Sequence, residues 1–182
     1  MKKVLLHSCC GPCASACVPR LKAGGGTVAM YFSNSNIDTR EEFERRLAAA
    51  RRLAEAEGVG LTVDPYDHGR WLREVAAGCE DEPEKGLRCE RCYRYSLART
   101  AEHATANGFD AFTTSLTVSP HKPSAKVFAA SDDPRFLHED FKKREGFKVS
   151  VRRAAELGLY RQAYCGCEFS RRGKEGQACS LN

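Results

Sequence analysis

The 182-residue chain has no run approaching the ~18 consecutive apolar residues that a membrane span requires. Its opening apolar run, Val4-Leu5-Leu6, is far shorter than the ~7–15 residues of a secretory signal core, so no membrane partner is expected and the protein is expected in a reducing cytoplasm. Internal repeats are absent, which excludes solenoids and arrays, and no low-complexity linker divides the chain. Also missing is a Ser/Gly-rich phosphate loop after the first apolar segment; cysteines stand there instead, which argues against an adenylating sulfur-transfer enzyme that uses ATP. Histidines 68, 103, 121 and 138 show no metal-ligand spacing. At 20.1 kDa, with 42% hydrophobic and 29% charged residues, the chain reads as one globular domain over residues 1–182, its last residues (about 175–182) forming a loose tail that holds Cys179.

What the chain has in abundance is cysteine: ten residues. In a secreted protein that number would suggest disulfides; in the cytosol, clustered thiols point to metal binding or redox work. The formal net charge is +5, and the excess gathers in three runs: Lys142-Lys143-Arg144, Arg152-Arg153 and Arg171-Arg172 with Lys174. Basic runs flanking a cysteine group suit a polyanionic partner such as RNA.

Strands are expected at Val4–Ser8, Thr27–Phe32, Leu61–Pro65 and Ala111–Leu116. Helices are expected at Ala14–Lys22, at His68–Ala77 and from Arg88 to Ala106, where Asn107-Gly108 stops the last. Thr39 and Glu42 have the spacing of a capping box, and Phe43, Leu47, Ala50 and Leu53 then share one helical face. A further short helix is expected around Glu139–Arg144, after a loop through Asp132-Asp133-Pro134. Alternating strands and helices predict an α/β fold with a parallel sheet flanked by helices and right-handed crossovers. In such sheets ligands bind beyond the C-terminal strand ends, where Cys9 and Cys10 fall.

Seven cysteines form three groups. Cys9, Cys10 and Cys13 precede a helix N-terminus, whose free N–H groups and dipole favour thiolates. Cys89 and Cys92 open a helix, and residues three apart on a helix share a face. This pair follows an acidic Gly/Pro-containing stretch instead of a strand, unlike a thioredoxin-type redox motif. Cys165-Gly166-Cys167 is the third group, with glycine allowing a tight bend round a metal. One structural zinc or one four-iron cluster takes only four ligands, so seven suggest a cluster plus a second metal or free catalytic thiols. Cys17, four residues after Cys13, is expected to be a small buried residue, and Trp71 a core anchor.

These motifs resemble the epoxyqueuosine reductases of the QueH type over nearly the whole chain. The resemblance runs from His7-Ser8-Cys9-Cys10-Gly11-Pro12-Cys13 to Tyr164-Cys165-Gly166-Cys167-Glu168-Phe169-Ser170. Between them it is carried by Tyr31-Phe32-Ser33-Asn34-Ser35-Asn36-Ile37, with Ser35 in place of the family's usual proline, and by the stretch from Glu82 to Tyr93. Phe112 to Leu116, Ser119 to Lys122, Asp140 to Lys143 and Gly158 to Gln162 carry it further. The resemblance implies a Rossmann-like (HUP-type) fold, a [4Fe-4S] cluster with an adjacent iron, and reduction of the epoxide of epoxyqueuosine in tRNA, the last step of queuosine formation. It implies an aspartate in relatives where Cys13 stands here. All seven cysteines are expected to bind metal, divided between cluster and mononuclear iron in a way that spacing does not decide. Tyr164 and Arg161 are the candidate catalytic residues; Asn34, Asn36, Tyr160 and Gln162 are the candidate substrate contacts. The reaction also demands an electron donor that the sequence does not identify. The rival reading is a zinc-dependent RNA-binding module without redox chemistry, which accounts for four of the seven thiols.

Overall fold

The computed structural model describes residues 1–175; the tail expected at about 175–182, with Cys179, lies outside the described residues from 176 onward. Four strands, β1 (Lys3–His7), β2 (Thr27–Phe32), β3 (Gly60–Val63) and β4 (Ala111–Thr114), form a wholly parallel sheet in the order β3-β2-β1-β4. The helices are α1 (Gly11–Ala23), α2 (Arg40–Glu57), α3 (His68–Trp71), α4 (Leu87–Ala106), α5 (Ser124–Phe128), α6 (Gly146–Glu156) and α7 (Glu168–Glu175). This is the Rossmann-like α/β architecture that strand–helix alternation predicts.

Strand side chains alternate between the two faces, and both faces are covered, so β1 needs consecutive apolar residues. Leu6, Met30 and Phe32 pack with Val18 of α1, Phe43, Leu47, Ala50 and Leu53 of α2, and Ala154 of α6. Leu5, Tyr31 and Phe112 pack on the opposite face with Tyr93 and Leu97 of α4. The chain winds outward from β1 through β2 to β3, then returns to lay β4 along the other side of β1. That reversal opens a crevice at the C-terminal ends of β1 and β4. Cys17 and Trp71 are buried, as expected, and their burial leaves the indole no surface on which to stack a base.

Three local departures from the sequence expectation shape the site. Thr39 Oγ1 caps α2 by accepting from Glu42 N at 3.2 Å, but the capping box closes only on that side. The Glu42 carboxylate turns inward, accepting from Arg46 Nε at 2.7 Å and from the Tyr160 hydroxyl at 2.9 Å. A charge-assisted bond to a buried guanidinium outcompetes a backbone N–H. Next, β4 ends at Thr114, whose Oγ1 accepts from Leu116 N at 3.1 Å and starts a 3-10 turn over Ser115–Val118. That bend aims Ser115 at Cys9. Finally, the helix expected at Glu139–Arg144 is a series of turns, and α6 starts only at Gly146. Arg144 and Glu145 both sit at φ 57, a left-handed backbone that interrupts a right-handed helix. Gly146 is required next because the Phe141 carbonyl fills the space a Cβ would need.

Candidate metal centre

Cys10 is the N-cap of α1, and its Sγ accepts from Cys13 N at 3.4 Å. The sulfurs of Cys9, Cys10 and Cys13 all lie within 4.8 Å of one another, so these three residues can hold a metal ion. Their frame is rigid. Ser115 Oγ accepts from Cys9 N at 3.0 Å and donates to Cys9 Sγ at 3.2 Å, tying the end of β1 to the end of β4. Buried His7 bridges Thr114 Oγ1 at 2.9 Å and the Ser33 carbonyl at 3.1 Å, while Asn34 Nδ2 donates to the Ser8 carbonyl at 2.9 Å. Hydrogen bonds from the Cys13 and Cys9 thiols, from Cys13 N and from Gln162 hold Cys10 well below the usual thiol range. Cys13 and Cys9, the donors in that arrangement, are pushed up. Cys17 donates to the Cys13 carbonyl at 3.4 Å and is pushed up by burial.

The other four thiols come from two distant segments. Cys89 and Cys92 occupy the first turns of α4, and Lys85 N donates to Cys89 Sγ at 3.3 Å. Cys165 and Cys167 flank Gly166, whose φ of 148 and crowded surroundings admit no side chain: a Cβ there would meet Asn36 Nδ2 at 2.7 Å. Asp38 N donates to the Gly166 carbonyl at 3.0 Å. Arg46, 2% exposed, reaches from α2 to the carbonyls of Cys165 at 2.8 Å and Tyr164 at 3.2 Å. Burial pushes up Cys89, Cys92 and Cys167, and like charge from Cys165 pushes each in the same direction, which puts Cys165 among them. Lys122 lies between the two thiol sets. Burial alone would lower its pKa, but Cys165, Cys9, Tyr93 and Cys13 outweigh it, so the side chain stays a cation.

The proposed substrate and catalytic residues distribute unevenly around this centre. Gln162 touches Cys10, and Asn36 lies against Gly166. Asn34 and Tyr160 are committed to Ser8 and Glu42. The Tyr164 hydroxyl donates to Asp38 Oδ1 at 2.7 Å and accepts from Arg171 at 2.7 Å. Burial and the Asp38 bond push it up to about 12. Arg161 is exposed. Several residues of the basic runs are already neutralised: Lys142 pairs with Asp140, Arg152 with Glu156, Arg153 with Glu57 and Arg171 with Asp38.

Sequence reading missed Arg46, Lys122 and Ser115 as parts of the site. The Glu42–Arg46 spacing of four residues, on the face of Phe43 and Leu47, was the available signal for Arg46. Three polar atoms beside the thiols are buried without a partner among the described residues, Trp71 Nε1, Arg88 Nε and Glu168 Oε2. Each such atom costs about 1–3 kcal/mol. An orphaned donor packed against cysteines fits a centre whose sulfurs become thiolates when metal binds. The donor set, all sulfur and none of it in disulfides among the described residues, suits soft metal or iron–sulfur ligation. No helix of the described residues is long and apolar enough to cross a membrane.

Comparison with known proteins adds the chemistry that geometry leaves open. A family model described as "Epoxyqueuosine reductase QueH" matches residues 4–173. Proteins named epoxyqueuosine reductase QueH are similar along most of their length. That of Streptococcus pyogenes serotype M1 is 36% identical over 179 residues, covering 92% of this chain and 69% of the relative. That of Acinetobacter baylyi is 34% identical over 177 residues, covering 93% and 81%. That of Dehalococcoides mccartyi is 33% identical over 175 residues, covering 92% of each.

Proposed function

The chain belongs to the epoxyqueuosine reductase QueH family, and from that premise we propose that it reduces the epoxide of epoxyqueuosine in tRNA to give queuosine. The observation that carries this reading is the match over residues 4–173, which includes all seven grouped cysteines. Cys89, Cys92, Cys165 and Cys167 would hold a [4Fe-4S] cluster, the count such a cluster takes. Cys9, Cys10 and Cys13, whose sulfurs converge, would hold a second, mononuclear iron. When bound, these groups supply electrons one at a time and a Lewis acid for the epoxide oxygen. Both C–O bonds break, a C=C bond forms, and two electrons and two protons carry the oxygen away as water. The electrons come from an external donor protein or reductant.

The residues of the chain set the conditions for that chemistry. Lys122 supplies fixed positive charge between the two thiol sets, offsetting the negative charge that thiolates and arriving electrons bring. Gln162 holds the Cys10 sulfur, and Asn36 stands beside Gly166, so these two candidate substrate contacts lie at the crevice. Asn34 and Tyr160 act on the same crevice by fixing its frame through Ser8 and Glu42. Tyr164 keeps its proton at neutral pH because burial and Asp38 raise its pKa, so it is carried as the candidate proton donor. Exposed Arg161 is suited to a tRNA phosphate. A tRNA-modifying role suits a cytoplasmic protein.

The test is incubation of anaerobically reconstituted protein with epoxyqueuosine-containing tRNA and a reductant, followed by mass spectrometry of the nucleosides. Queuosine is expected at the expense of epoxyqueuosine. A protein that loads iron and sulfide yet makes none defeats the activity. One that takes up only zinc and remains colourless belongs to the RNA-binding alternative.

A further inference from the structure

The strongest feature left unused by the proposed reaction is Trp71. It stands where α3 gives way to a single π-helical turn over Leu72–Ala76, a wider winding that recurs at functional sites. The side chain is 1% exposed and packs with Val75, Ala76 and Cys167, with Cys92 against the same cluster. His68 stacks on its ring at 5.6 Å with planes 13° apart. That histidine is itself fixed between the Ser35 carbonyl at 2.9 Å and Glu168 Oε1 at 3.4 Å. The indole is therefore clamped, and its edge has one orientation.

A residue chosen for bulk alone would carry no buried N–H, yet Nε1 has no hydrogen-bond partner among the described residues. The acceptor within its reach is the Cys92 sulfur. Cys92 packs against the same cluster as the ring, and the indole N–H is the side-chain donor directed at its sulfur. A neutral thiol is a weak acceptor, whereas a thiolate accepts a charge-assisted bond. A metal-bound cysteine is a thiolate, so loading gives this donor a stronger acceptor.

We infer that the Trp71 indole N–H donates to the metal-bound Cys92 sulfur, making Trp71 a positioning residue that raises the reduction potential of the centre. The inference rests on the metal-centre reading above. Donation to a ligand sulfur withdraws electron density from it and favours the reduced state, one of the levers by which proteins set iron–sulfur potentials.

Trp71→Phe removes the N–H and keeps a buried aromatic ring. The reconstituted variant should hold as much iron and sulfide as the native protein. At a fixed applied potential, its ratio of reduced to oxidised centre should fall about tenfold, which is about 59 mV for one electron, followed by EPR during a redox titration. A fully loaded variant with an unchanged midpoint overturns the inference. If the variant does not load, the native sequence decides, because its one tryptophan gives one indole N–H signal in a ¹⁵N-labelled sample. Cadmium(II), diamagnetic and thiophilic, should move that signal downfield on binding; an indole signal that stays in place while cadmium is taken up overturns the inference. A chain that binds neither iron nor cadmium overturns the metal-centre reading, and this inference falls with it.

Discussion

Single side chains do much of the work of holding distant segments at the crevice, and Asp64 shows the cost of one. It is buried just past β3, accepts from Ser33 Oγ at 2.7 Å and from Arg99 Nη2 at 2.6 Å, and also accepts from Arg99 Nε. Arg99 belongs to α4, the helix that carries Cys89 and Cys92. Burial alone would raise the Asp64 pKa, but the bonds from Arg99, Ser33 and Tyr31 outweigh it and hold it below the ordinary carboxylate value. A folded-state pKa below the unfolded value of about 3.9 gives stability that is fully present above that value and is lost as pH falls through the folded one. Asp64→Asn should therefore cost about 3–5 kcal/mol in urea unfolding at neutral pH, because Arg99 is left unpaired. The gap between variant and parent should close as the pH is lowered below the unfolded value of about 3.9 and through the folded one. A gap independent of pH would mean that packing, not charge, accounts for the loss. At this scale the sequence was legible for sulfur and not for arginine. Cysteine spacing exposes a metal site because few other uses of thiols repeat it. A buried Arg46 is read as a surface residue, since nothing local to it names the carbonyls, more than a hundred positions away, that it bonds.

Among the elements, the three loops that carry thiols are built differently. The first is a helix cap and the second the opening of a helix, both made by local backbone geometry. The third, Tyr164 to Cys167, has no regular structure and hangs on Arg46, Asp38 and the open conformation of Gly166. Gly166→Ala should therefore disturb the centre more than the fold. Its strained backbone costs about 1–3 kcal/mol, and the methyl group collides with Asn36. Iron and sulfide per chain should fall, while far-UV circular dichroism stays near that of the parent. Retention of a full iron complement would show that the loop can close another way. The strands were legible from their short apolar runs, and α2 from its cap and its period. The helix α6 was not, because its start is dictated by two left-handed non-glycine residues and by a carbonyl that only tertiary structure brings to Gly146.

For the molecule as a whole, the two apolar layers on the sheet are built mainly from aliphatic and aromatic side chains, with Cys13 packed against one and Cys9 and Cys89 against the other only as partly buried neighbours. The metal-free protein should therefore fold, and metal should add stability by binding only the folded state. At free metal about 100 times its dissociation constant that gain is about 2.7 kcal/mol. For a domain of this size it corresponds to about 5–10 °C in Tm. Anaerobic calorimetry before and after chelation should show that drop, with a cooperative transition in both samples; loss of the transition on chelation would make the metal a folding core. The positions of the grouped thiols also set the order in which they become available during synthesis. Cys9, Cys10 and Cys13 leave the ribosome before Cys89 and Cys92, and those before Cys165 and Cys167. A centre that draws thiols from the later groups therefore lacks part of its donor set until the last of them has emerged. If Cys165 is one of those donors, its exposure on the loop held by Arg46 leaves it open to metal once the chain has folded.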